Sequence, residues 1–147
     1  MPTITDLLAQ GRLERIDVDL QEARDLVRHA HAHLESAAAI MDRDPAGAYQ
    51  LAYDAARKAV VADMSANGYR ARADRSGAHM AVVDYAEEAL ADTANAAALQ
   101  RFDRMRRLRN RAEYGGVTVG RAQVVSDLRQ SMEIVRAVEV RLLHRGE

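Results

Sequence analysis

Residues 16–41, IDVDLQEARDLVRHAHAHLESAAAIM, decide the fold. Apolar or small side chains stand at Ile16, Leu20, Ala23, Val27, Ala30, Leu34, Ala37 and Met41, in alternating steps of four and three. An α-helix turns once every ~3.6 residues, so these positions form one narrow seam. Such a seam suits helices packed side by side. The spacing predicts one long helix over 16–41. Working outward, Asp44-Pro45 reads as a helix start, with an Asp cap and a proline whose missing N–H costs nothing there. That second helix runs over 45–66, rich in alanine and carrying Tyr49, Tyr53 and Val60, and Asn67-Gly68 stops it. A short helix over 3–10 precedes the seam, capped by Thr3 or Thr5 and stopped by Gly11. Residues 69–77, YRARADRSG, form a polar, basic connection. A third long helix is expected over 78–91, a capped loop at 92–95, a fourth helix over 96–113 ended by Gly115-Gly116, and a fifth from Gly120. The fifth repeats the 4–3 seam at Val124, Leu128, Ser131, Val135, Val138 and Leu142. The fold class is all-α, an up-and-down bundle of four to five helices in one domain over 1–147.

Composition agrees. Of 147 residues, 48% are hydrophobic and 29% charged, as in a soluble globular domain with one core. Only Pro2 and Pro45 interrupt a chain rich in helix formers. The absence of cysteine excludes disulfides, thiolate chemistry and Cys-ligated zinc. No N-terminal run resembles a signal peptide, and no stretch approaches the ~20 apolar residues of a membrane span. The expectation is a cytoplasmic protein with no membrane partner and no cofactor.

The formal net charge is -1, yet residues 101–111, RFDRMRRLRNR, hold six arginines against one aspartate. Phe102, Met105, Leu108 and Ala112 mark the apolar stripe of this helix. Arg109 follows Phe102 by seven residues, two turns less about 20°. It is therefore aimed at the core edge, with Glu113 four residues later as an ion-pair partner. Asn110 and Tyr114 form a second i, i+4 pair on the neighbouring face. Arg101, Arg104, Arg107 and Arg111 fan out toward solvent, where their combined field favours phosphate. A structural reading competes: Arg109 can simply lie along the seam, paired with an acid.

Arg109-Asn110-x-x-x-Tyr114, on a motif helix near the end of a five-helix plan, resembles the HEPN superfamily. That pattern is an Arg, often followed by a polar residue such as Asn, then a His at the fifth position after the Arg. The stretch 53–58, YDAARK, is similar to the acid-bearing helix that packs beside the motif helix in this superfamily. Helix order matches from about residue 17 to 143, though only the motif is specific. The resemblance implies a homodimer, metal-independent endoribonuclease activity, and a toxin–antitoxin or phage-defence setting. It also implies RNA or a nucleotide as ligand and a neighbour-encoded antitoxin or nucleotidyltransferase as partner. Arg109 matches the motif Arg and Asn110 its polar follower. Tyr114 stands where the family has His, as in a small actinobacterial HEPN-like branch ending in R-N-x-x-E-Y. A second register takes Arg107 as the motif Arg. Ala112 then replaces the His, and Tyr114 matches a tyrosine that a partner nucleotidyltransferase modifies in some toxins. The first register retains Asn110.

The exchange bears on chemistry. Metal-free RNA cleavage needs a proton acceptor for the 2′-OH and a cation for the phosphorane. Arginine, a planar fork, suits the second role. Histidine, with a reference pKa near 6.5, suits the first, whereas a phenol, near 10, is a poor base at neutral pH. The resemblance thus assigns Arg109, Asn110 and Tyr114 to the catalytic positions, with Glu113, Asp54, Arg107 and Arg111 binding or supporting. Alternatively the chain is a silent HEPN-like module for dimerisation or for binding a partner or nucleotide. His79, opening the third long helix after the basic connection, is the candidate replacement base. Asp54 either pairs with Lys58, four residues on, or reaches across to orient Arg109. His29 and His33 share a helical face with His31 between, but no acid motif completes a metal site, so they read as a solvated face. His144 lies in a tail expected to fray.

Overall fold

The computed structural model describes residues 2–72, 77–91, 96–116 and 118–145. Its elements are α1 (Ile4–Ala9), β1 (Leu13–Arg15), α2 (Leu20–Ile40), α3 (Pro45–Asn67), β2 (Tyr69–Ala71), α4 (Ala78–Ala89), α5 (Ala96–Leu99), α6 (Phe102–Glu113) and α7 (Arg121–Arg145). The protein is an all-α bundle. α3 is its central helix, packed against α2, α7, α6 and α4. Thirteen α3 residues are buried, seven of them alanines, which lets neighbours approach it from several sides. The expected seams lie inward. Ala23, Val27, Ala30 and Ala37 of α2 are buried, as are Val124, Leu128, Ser131, Val135 and Val138 of α7.

Caps set the boundaries. Thr3 closes α1 with a full capping box, its hydroxyl accepting from the Asp6 N–H while the Asp6 carboxylate accepts from the Thr3 N–H. Asp44 caps α3 by accepting from the Gly47 N–H, with Pro45 in the first turn. At the other end Gly68 sits at φ 81° and ends α3.

Three expectations need correction. The long helix starts at Leu20, four residues late, and Asp19 caps it. The preceding segment is extended because the end of α3 holds it. Ile16 N–H donates to Gly68 O at 2.9 Å and Asp19 N–H to Ser65 O at 3.0 Å. The connection read as plain loop contains β2, which pairs antiparallel with β1 in the register Leu13↔Ala71, Glu14↔Arg70, Arg15↔Tyr69. The helix expected over 96–113 is broken at Gln100–Arg101. Ala98 and Leu99 of α5 are buried where that segment packs on α7, while Phe102 and Met105 of α6 are buried toward α3, so the axis must turn between them. A tight bond from Arg101 N–H to Ala98 O, 3.1 Å, marks the turn. His144, expected in a fraying tail, lies in the last turn of α7. The loop expected at 92–95, and residues 73–76 of the basic connection, fall outside the described residues.

Buried polar groups tie the helices together. Asp63 of α3, 1% exposed, accepts from Arg141 Nε at 2.6 Å and from the Tyr85 hydroxyl at 2.7 Å, joining α3, α7 and α4. Tyr49 donates to Asp127 at 2.7 Å, a second α3–α7 tie. Arg12 and Asp84, 2.6 Å apart, hold the N-terminal segment to α4.

Candidate functional site

α6 ends at Glu113, Tyr114 is its C-cap, and Gly115 follows at φ 87°. Its stripe is buried at Phe102 and Met105, with Leu108 and Ala112 packed at the core margin. Arg109 follows that line inward: its side chain is 22% exposed, against 65% for Arg107. Its Nη1 donates to Asn110 Oδ1 at 3.2 Å and lies 3.2 Å from Glu113 Oε2. Its Nε is buried with no hydrogen-bond partner. The guanidinium stands 5.8 Å from the centre of the Tyr53 ring, a cation–π distance. Tyr53 in turn tilts against Phe102, ring centres 5.7 Å apart, and its hydroxyl lies 3.4 Å from His79 Nδ1.

α3, α4 and α6 thus converge on one phenol. Burial pushes the Tyr53 hydroxyl up to about 12, against the pull of Arg57, Arg106 and Arg109, so it stays protonated at neutral pH. Desolvation lowers His79 below the ordinary histidine value, aided by Arg57, Arg109 and Arg106 and opposed by Asp54. His79 is thus held neutral amid arginines.

Of the residues singled out by sequence, Arg109, Asn110 and Glu113 come together, and His79 joins them through Tyr53. Tyr114 does not: the residue is 82% exposed, and its contact with Asn110 is a backbone bond of 3.1 Å. Asp54 takes neither expected partner. It lies 3.9 Å from Arg57, while Lys58 turns instead to His33, Nζ to Nε2 2.6 Å. His31 crosses to Glu139 of α7 at 2.8 Å, so the histidine face is partly engaged between helices. Among the described residues no group of three His, Asp or Glu side chains is placed to hold a metal.

On the outer face of α6, Arg104, Arg107, Asn110 and Arg111 line an open concavity of about 560 Å³. Arg107 is paired with Asp103 at 3.1 Å. Arg104 and Arg111 make no ion pair among the described residues. Asn110 belongs to both places, bonded to Arg109 on one side and lining the arginine concavity on the other.

Three residues of the cluster were missed by sequence: Tyr53 as a platform, Arg57 and Arg106. Arg106 was findable, since it follows Phe102 by four residues, about 40° past one turn. Its side chain is 23% exposed and paired with Asp103 at 2.8 Å. Arg57 was marked only by sitting four residues after Tyr53. No protein-family model, curated protein or solved structure matches the chain. Among the described residues no helix is long and apolar enough to cross a membrane.

Proposed function

We propose that this is a HEPN-like protein that binds RNA through α6, with Arg109 as its inner phosphate ligand and Arg104, Arg107 and Arg111 as outer ones. The observation that carries the reading is the arginine-lined concavity, joined through Asn110 to an inward Arg109 whose Nε lacks a partner. A phosphodiester supplies oxygens to Arg104 and Arg111, which make no ion pair among the described residues. The resemblance at Arg109-Asn110 and Tyr114 suggests a toxin–antitoxin or phage-defence setting, a homodimer, and a neighbour-encoded antitoxin or nucleotidyltransferase.

Metal-independent cleavage would need Arg109 at the phosphorane and a base beside it. The exposure of Tyr114 favours the second reading, a HEPN-like module that binds and does not cut, because a phenol turned into solvent is not positioned beside Arg109. The test is anisotropy of a labelled single-stranded RNA in EDTA, with a cleavage gel on the same samples. Four phosphate contacts give a slope of log K against log salt of about -2.8, at ~0.7 per contact on single strands. Replacing Arg104, Arg107 and Arg111 together by Gln should flatten it to about -0.7. RNA binding that is absent, or unchanged in the triple variant, refutes the proposal. Cleavage in EDTA that vanishes in Arg109→Ala identifies the enzyme, and binding without cleavage identifies the silent module.

A further inference from the structure

A cavity of about 290 Å³ opens between α3, α4, β2 and the start of α2, with His79 on its wall. Ligand pockets begin at roughly this size. Its lining is ordered by helix geometry. On α3, Arg57, Val61 and Ser65 recur every four residues and all face it. On α4, His79 and Val82 repeat the polar-then-apolar order. Glu22 of α2 stands beside Ser65, whose hydroxyl donates to its carboxylate at 3.2 Å. The cavity therefore has a cationic end, an apolar middle and an acidic end. The ends are eight residues apart on α3, about 12 Å along its axis before side-chain reach shortens the span.

The cationic end is incompletely satisfied. Arg57 Nε is buried and has no hydrogen-bond partner, since Asp54 at 3.9 Å is too far to accept from it. Gly77 at the start of α4 has no side chain with which to cap that helix. Arg70, also on the wall, is already committed to Glu14 at 2.6 Å.

We propose that this cavity binds a small organic zwitterion, its acid on Arg57 beside His79, its carbon chain against Val61 and Val82, and its ammonium on Glu22. The cavity shares His79 and Arg57 with the cluster around Tyr53, but none of Arg104, Arg107 and Arg111 lines it, so the proposal does not depend on the RNA reading.

The probes are 6-aminohexanoate, hexanoate and hexylamine, titrated at low millimolar concentration into the full chain. Binding is read from the His79 ring resonances by NMR, with the other four histidines as internal controls. The expected result is that 6-aminohexanoate shifts His79 selectively and binds more tightly than either half-ligand. Glu22→Gln should weaken 6-aminohexanoate and leave hexanoate unchanged. Arg57→Gln should weaken 6-aminohexanoate at least about tenfold, the loss of one charge-assisted contact. Arg57→Lys, which keeps the charge but not the planar fork, should fall between wild type and Arg57→Gln. The variant with Arg104, Arg107 and Arg111 all replaced by Gln should bind the probe as wild type does, which separates this site from the RNA surface. A silent His79, hexylamine binding as well as the zwitterion, or equal affinity in wild type, Arg57→Lys and Arg57→Gln overturns the proposal.

Discussion

Replacing Arg109 by Ala should weaken RNA binding while leaving stability nearly untouched, and the structure says why the two separate. Three favourable terms are lost. The contact with the Tyr53 ring at 5.8 Å is worth about 0.5–1 kcal/mol at a partly exposed site. The i, i+4 pair with Glu113 contributes about 0.3–0.5 kcal/mol. Two buried methylenes of the stem contribute up to about 1.6 kcal/mol, less for the 22% of the side chain in water. Against these stands the buried Nε without a partner, whose removal returns about 1–3 kcal/mol. The midpoints of these ranges cancel and their extremes leave about 2 kcal/mol either way, a melting shift of no more than about 8 °C for a domain of this size. Binding has no such offset. Losing one charge-assisted phosphate contact costs about 1.5–3 kcal/mol, roughly ten- to a hundredfold in Kd, and lowers the salt slope by about 0.7. Thermal unfolding and RNA anisotropy on one preparation measure both. A melting loss beyond about 8 °C would show that Arg109 is a strut of the fold. Unchanged affinity and salt slope would show that it never meets phosphate.

Other expectations concern the frame that holds the site. Arg141→Met strands the Asp63 carboxylate, 1% exposed, and should cost about 3–5 kcal/mol in urea unfolding. The double variant with Asp63→Asn should recover part of that, a coupling of about 1–3 kcal/mol, and strict additivity would mean the pair is not coupled in solution. Gly68→Ala forces a side chain onto a residue at φ 81° and sets its Cβ 2.9 Å from the Ile16 carbonyl oxygen, so a loss of about 2–3 kcal/mol is expected. A melting temperature within about 2 °C of wild type would refute that. Burial beside Lys58 lowers His33, which favours its neutral form in the folded chain. The unfolded chain then binds more protons near the reference value of ~6.5, so this contribution is complete above that pH and is lost as the pH falls through it. The urea midpoint should drop between about pH 7 and 5, and His33→Gln should flatten that drop. A wild-type profile as flat as the variant's would remove His33 from the account.

What the sequence could tell depended on whether the cause was local. The seams of α2 and α7, the Asp44-Pro45 start and the Gly68 stop are written within one or two turns, and each appears where the pattern puts it except at Ile16, which precedes α2. The inward turn of Arg109 is also a local fact, since it follows from counting residues after Phe102. Causes that lie on two segments left no such mark. Leu13–Arg15 and Tyr69–Ala71 are too short to show a period of two, and they pair only because Gly68 brings the end of α3 against Ile16. The break at Gln100–Arg101 carries no proline or glycine; it arises because α5 and α6 have different neighbours. The candidate site divides along the same line. That Arg109 points inward is a property of α6, but what it meets is Tyr53 from α3, with His79 from α4 behind it. Sequence spacing gives a side chain its direction, and only the packing of other helices gives it an environment. The same limit explains the misplacement of Tyr114. One residue past the last helical turn, it leaves the i, i+4 line that would have set it beside Asn110. Spacing and structure agree on Arg109 and Asn110 as neighbours on α6, and the structure takes Tyr114 away from them.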